Sequence, residues 1–84
     1  MKYMAYHYFY MARCSDNSLY SGYTTNIKDR EAKHNEGKGA KYTKAHLPIS
    51  IIYFERFRSK SKAIKREAEV KKYSKEEKEQ LIKK

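Results

Sequence analysis

The chain lacks most of what commonly braces or divides a small protein. It has one cysteine, Cys14, in 84 residues, which excludes an internal disulfide framework and a CxxC metal site and fits a reducing cytosol. Tryptophan is absent, and one proline and three glycines leave no linker rich enough to split the chain, so one domain is expected over 1–84. No apolar run approaches the ~20 residues that a membrane span requires, and the start does not resemble a signal peptide. A cytoplasmic protein without membrane contact is therefore expected. Acidic residues are also scarce, 10 against 20 Lys and Arg, for a net charge of +10. That surplus attracts a polyanion, which makes nucleic acid the leading partner. The plainer account is that lysines keep an aromatic-rich domain dissolved.

Tyrosine is what the chain has in abundance, nine in all. Residues 5–14 alternate with Tyr6, Tyr8, Tyr10, Ala12 and Cys14 on one face and His7, Phe9 and Met11 on the other. Neither face is convincingly polar, so the run reads as a central strand buried on both sides. Residues 15–18, Ser-Asp-Asn-Ser, form a turn, and residues 19–24 return as a second strand. Register follows from loop parity. A two-residue loop would pair Tyr10 with Tyr23 and put Tyr20 on the other face, whereas an odd loop places Tyr10 and Tyr20 on one face and, with three residues, sets Tyr10 opposite Gly22, whose missing side chain leaves room for the phenol. An odd loop or a bulge is expected.

Asn26 or Thr25 caps a helix that Gly37 ends, with Ile27, Arg30 and His34 along one of its faces. Residues 36–48 read as a mobile basic loop. Residues 49–57 read as a third strand with both faces buried: Ile49, Ile51, Tyr53 and Phe57 on one, Ile52 and Phe54 on the other. A second helix opens at Ser59 or Ser61, its inward stripe being Ala63, Ile64, Glu67 and Val70. A carboxylate on that stripe needs a cation beside it. Ser74 and Glu77 make a capping box for a last helix anchored by Leu81 and Ile82.

Two half-motifs, an aromatic pair followed by Tyr10 and then Tyr20-Ser21-Gly22, resemble the segments that name the GIY-YIG nuclease family. The ordered set Tyr10, Tyr20, Arg30, His34 and Glu67 extends the resemblance along the chain, with Arg30 ten residues after the second tyrosine and His34 one helical turn later. The flanking text is most similar to small single-domain members, which resemble the nuclease subunit of a structure-selective junction-resolving endonuclease. The resemblance implies an α+β fold, a three-stranded antiparallel sheet flanked by about three helices. It implies hydrolysis of a nucleic-acid phosphodiester with one divalent metal, Mg²⁺ or Mn²⁺, held by Glu67. DNA is the expected substrate, branched or damaged, in repair or recombination.

The residue types suit that chemistry. Glu67 offers a hard oxygen to a metal that keeps several waters. Arg30 can fork two donors onto a phosphate. Tyr10 and Tyr20 can orient or deprotonate water, but a free phenol with pKa ~10 is a weak base at neutral pH, so Arg30 or a metal must lower it or His34 must take the proton. Substrate grip is expected from Lys38, Lys41, Tyr42, Thr43 and Lys44, with backbone N–H groups beside Gly37 and Gly39 approaching phosphates. Each residue has a plainer reading too: tyrosines as core, His34 as a helix-end charge, Glu67 as an i,i+4 partner of Lys71. Tyr8, Phe9 and Ser21 replace the family's glycine and isoleucines, and no asparagine follows the Glu67 helix, where many larger members carry one. A binding module of the same fold with little turnover is the alternative. With no appended DNA-binding module, specificity is low or comes from a protein partner.

Overall fold

The odd-membered turn forms as expected. Strand β1 (His7–Arg13) and strand β2 (Leu19–Thr24) close through Ser15-Asp16-Asn17, with the Cys14 amide donating to the Ser18 carbonyl at 2.9 Å and the Asn17 amide to the Cys14 carbonyl at 2.9 Å. Asn17 sits at φ 71°, the left-handed position that three-residue hairpins place last and that asparagine tolerates. The resulting register pairs Tyr10 with Gly22 and Ala12 with Tyr20.

A computed structural model describes residues 5–84; residues 1–4 of the expected domain lie outside the described residues. After the hairpin come helix α1 (Ile27–Asn35), the short helix α2 (Lys41–Lys44), strand β3 (Ser50–Phe57), helix α3 (Lys60–Lys71) and helix α4 (Lys75–Lys83). The sheet is antiparallel in the order β2-β1-β3, so this is an α+β fold with β1 in the middle. Phe9, Tyr10, Met11 and Ala12 are all fully buried, as a strand covered on both faces requires. On one face Tyr10, Ala12, Cys14 and Ile49 pack with Tyr20, Ile27, Leu47 and Ile51. On the other, Phe9, Met11 and Val70 pack with Tyr53, Phe57, Tyr73, Leu81 and Ile82. The helix signals operate as read: Asn26 accepts from the Asp29 amide, Ser59 from the Lys62 amide, and Ser74 with Glu77 completes a capping box.

Three expectations need correction. The basic loop is not structureless: it contains α2 and is fastened at several points. The Asn35 side chain bonds both backbone groups of Ile49, at 2.8 and 3.0 Å, and the Ser15 amide donates to the His46 carbonyl at 3.0 Å. Strand β3 is an edge strand, and Ile52 and Phe54 are 40% and 52% exposed rather than buried. Alternation shows that two faces differ, not which one a neighbour covers. Ile64, placed on the inward stripe of α3, is 41% exposed, because Ala63 and Val70 already fill that contact. A bulge between Met11 and Ala12 leaves Ile52 without a partner on β1 and brings Ile51 opposite Ala12.

Helix α3 is tied to β3 by an ion pair that periodicity does not reveal. Arg66 donates from Nε and Nη2 to the two carboxylate oxygens of Glu55, at 2.9 and 3.1 Å, and the Tyr53 hydroxyl donates to the same carboxylate at 2.5 Å. Burial pushes the Tyr53 phenol up to about 12, with the Glu55 carboxylate adding to the rise. Burial would raise the Glu55 carboxyl too, but the Arg66 and Tyr53 hydrogen bonds outweigh it and hold it below the usual range. A carboxylate with a depressed native pKa contributes stability above its unfolded pKa of ~4.3 and loses it as pH falls through the native value. Glu55→Gln should therefore cost about 2 kcal/mol at pH 7, judged from charge-assisted hydrogen bonds of this kind. It should also flatten the acid side of the stability profile. Denaturant melts from pH 3 to 7 check this, and parallel wild-type and variant curves would count against it.

Candidate active site

Four elements bring the expected residues together. Strand β1 supplies Tyr10, β2 supplies Tyr20, α1 supplies Arg30 and His34, and α3 supplies Glu67. The Tyr10 ring lies 6.4 Å from the Tyr20 ring and 6.1 Å from the His34 ring, and Tyr20 lies 5.6 Å from His34. The charges of Arg30 and Glu67 both act on the Tyr10 phenol. The centre of the group is covered: Tyr10 and His34 are fully buried.

A hydrogen-bonded chain fixes its protonation. The Thr43 hydroxyl donates to the Ala40 carbonyl at 2.9 Å, so its one proton is committed and it must accept from His34 Nδ1, 2.7 Å away. Nδ1 therefore carries the imidazole proton and Nε2 holds the lone pair. Nε2 takes the hydrogen bond from the Tyr10 hydroxyl at 2.8 Å. Burial raises the Tyr10 phenol above its ordinary value although Arg30 opposes the shift, and burial with the Arg30 charge lowers His34. At neutral pH the phenol keeps its proton and the imidazole is neutral, so His34 Nε2 is the proton acceptor of the pair.

Two glycines make the arrangement sterically possible. A Cβ on Gly22 would lie 2.4 Å from the Tyr10 hydroxyl oxygen, and one on Gly39 would lie 2.0 Å from His34 Nδ1. Room beside the phenol was expected at Gly22; Gly39 was expected to serve phosphates, and its contact is with the imidazole.

Arg30 is half-buried, and its Nε has no hydrogen-bond partner. An unpaired donor there suits an incoming anion. Glu67 is mostly covered, at 18% side-chain exposure, and holds Lys71 at 3.0 Å. Glu69, one position outside the inward stripe, is exposed and bonds Arg66 at 3.0 Å. Among the described residues no cluster of three or more His, Cys, Asp or Glu side chains is placed to hold a metal. Glu67 thus stands as a single carboxylate. It fits an ion that brings waters and substrate oxygens for the rest of its shell, since its present cation is a lysine 51% exposed that solvent can readily take back.

The grip residues divide. Lys38, Lys41 and Lys44 are exposed. Thr43 is fully buried and cannot touch nucleic acid; it orients His34 instead. The Tyr42 ring, expected to offer a stacking face, is 42% exposed and also stacks on His46 at 4.4 Å and on Tyr20 at 6.2 Å, and its hydroxyl donates to Ser18 at 2.6 Å. It buttresses Tyr20. The Thr43 and Gly39 contacts escaped sequence reading because both depend on where the loop folds back, which no local pattern encodes.

The model of the GIY-YIG catalytic domain matches residues 6–80. A UPF0213 protein of Staphylococcus haemolyticus is 54% identical over 79 residues, 94% of this chain and 96% of that one. A UPF0213 protein of Haloquadratum walsbyi is 50% identical over 76 residues, 90% of this chain and 85% of that one. The solution structure of a UPF0213 protein from Bacillus halodurans superposes with a TM-score of 0.60 at 45% identity, covering 93% of this chain and 83% of its own. That of a protein from E. faecalis gives 0.64 at 44% identity, covering 99% and 88%. A nuclease-family domain implies nucleic-acid binding, and nucleases of this family are generally metal-dependent. No helix among the described residues is long and apolar enough to cross a membrane. With that family model matched over residues 6–80 and relatives about half identical across most of both chains, the chain belongs to the GIY-YIG family of nuclease domains.

Proposed function

We propose that the protein is a metal-dependent endonuclease that hydrolyses DNA phosphodiester bonds, acting on branched or damaged DNA in repair or recombination, with a protein partner adding specificity. The observation that carries this is the buried chain from Tyr10 through His34 to Thr43, set beside an arginine with an unpaired donor. The Tyr10, His34 and Thr43 bonds would satisfy a structural core as well; the guanidinium donor left without a partner beside them is what a core would not keep.

Glu67 would hold the divalent ion, Mg²⁺ or Mn²⁺, which when bound would supply charge neutralisation to the reaction. The protein's own groups do the rest. Arg30 turns its free donors onto the phosphate and opens the way to the phenol it lies against. The attacking water passes a proton to the Tyr10 oxygen as Tyr10 passes its own to His34 Nε2, so no free phenolate is required. The water oxygen bonds phosphorus, the phosphorus–oxygen ester bond breaks, and the leaving oxygen takes a proton from solvent. Tyr20, half-buried and backed by Tyr42, orients the water. Exposed Lys38, Lys41 and Lys44 hold flanking phosphates.

The test is cleavage of flapped, nicked and branched DNA with Mg²⁺ or Mn²⁺, and with EDTA as the control. Wild type should cleave only with metal, and Tyr10→Phe, which keeps the packing, should be slower by about 100-fold, the usual scale for losing a proton-transfer group. No cleavage by wild type, or equal rates for both proteins, defeats the enzyme reading. DNA binding without cleavage leaves a binding module of this fold.

A further inference from the structure

The sheet face that carries Tyr10 does not end at the candidate site. Tyr8 lies two residues back on β1, ~7 Å along the strand, and Tyr6 just before β1 continues the same alternation. Across from them β3 pairs Phe54 with Tyr10 and Arg56 with Tyr8, and cross-strand partners share a face. Side-chain contacts agree: Phe54 meets the Tyr8 ring edge-on at 5.5 Å, and Arg56 lies 4.3 Å and Arg58 5.9 Å from the centre of the Tyr6 ring. The far half of this face is sealed by the core around Ala12, Cys14 and Ile49. The near half is open, with Phe54 52% exposed, Arg56 and Arg58 exposed, and Tyr6 and Tyr8 half-buried beside them. The result is a row of aromatic rings with guanidinium groups beside them, beginning at the strand position of Tyr10. Neither the Tyr10–His34 chain nor the family match accounts for it.

We propose that this open face binds single-stranded nucleic acid, stacking unpaired bases on Phe54 and Tyr8 and holding their phosphates with Arg56 and Arg58. Exposed rings on a sheet present flat faces that only unstacked bases can reach, whereas a duplex hides those faces and offers phosphates alone. Charge complementarity selects the same occupant, because two arginines beside the rings suit a phosphate chain and disfavour a basic second copy of this protein. The inference rests on the nuclease reading for its ligand class and names the form of that ligand: a strand unpaired next to the cleaved bond, as at a flap or branch.

Binding alone tests it, with EDTA present so that no hydrolysis occurs. Fluorescence anisotropy compares a labelled 15-nucleotide DNA strand, the RNA of the same sequence and the DNA duplex; the probe length lies near the upper end of the ~4–16 nucleotides that an OB fold covers. One or both single strands should bind at least about tenfold tighter than the duplex, and the stronger of the two identifies the natural sugar. Phe54→Ala, at an exposed site, should fold normally and lose roughly tenfold for the single strand with little change for the duplex. Arg56→Ala should lower the slope of log affinity against log salt by about 0.7, the effect of one phosphate contact on a single strand. Equal affinity for strand and duplex, or no effect of Phe54→Ala, overturns the proposal. So does a dimer that Phe54→Ala dissociates without changing DNA binding, because the face is then a contact between copies. Single-strand preference without cleavage under metal sinks the nuclease reading alone. Cleavage without such preference sinks this inference alone.

Discussion

Glu67→Gln should leave the protein folded and able to bind DNA while slowing hydrolysis about a thousandfold or more, the scale of losing several kcal/mol of charge stabilisation at the transition state. The substitution keeps the shape of the side chain and removes only its charge. Lys71 loses its partner, but that ammonium is 51% exposed, and a surface i,i+4 pair contributes only about 0.3–0.5 kcal/mol. The melting temperature should barely move. Glu69, on the same helix but turned outward and bonded to Arg66, is the control, and Glu69→Gln should cleave as wild type does. Single-turnover cleavage at saturating Mg²⁺, with anisotropy in EDTA, separates the effects. If Glu67→Gln retains a tenth of wild-type activity, the carboxylate is not the metal's holder and the lysine pair is its whole role.

Gly39→Ala should damage both stability and turnover, although a glycine-to-alanine change in a loop is ordinarily neutral or stabilising. The added Cβ would stand 2.0 Å from His34 Nδ1, in the space that the hydrogen bond to Thr43 occupies. The imidazole cannot swing clear, because it is fully buried and held at its other nitrogen by Tyr10. Overpacking of this kind costs about 1–3 kcal/mol, and displacement of the proton acceptor should slow cleavage by about 100-fold or more. Gly37→Ala is the comparison. Gly37 sits at φ 81° with nothing within 4 Å of the added carbon, so its cost is backbone strain of about 1 kcal/mol, with turnover per folded molecule unchanged. Equal behaviour of the two variants would show that Gly39 is not placed for His34.

Where the sequence was legible, a local rule had one solution. Loop parity, the two tyrosines and Gly22 together favoured the register that formed, and α1, α3 and α4 each began at a side chain that caps it. The hydrophobic run through β1 could only be a middle strand. What escaped reading depends on partners distant in the chain. Thr43 lies in a stretch whose glycines and lysines resemble a solvated loop, and only its bond to His34 draws it inside. Glu55 and Arg66 look like surface charges until β3 and α3 are laid together. Phe54 and Ile52 matched a buried pattern because hydrophobicity reports what a residue tolerates, not whether anything covers it. For the site, the ordered motif named the five residues; it did not foresee that Tyr10 would be sealed and protonated, with His34 behind it.

The unpaired Ile52 carries a consequence for how this chain can change in length. Ahead of it, β3 turns Ile51 toward the core that backs Tyr10; after it, Tyr53 and Phe57 serve the opposite core and Phe54 is left bare. That single extra residue acts as a phase shifter, letting one strand serve two layers out of step with each other. Tyr53 and Ile51 pair with the consecutive residues Met11 and Ala12, so removing Ile52 would close the bulge with each still facing its own layer, whereas removing a paired residue such as Phe54 would turn Tyr53 to the other face. The bulge is thus the one place in this strand where a residue can be lost without turning either layer over.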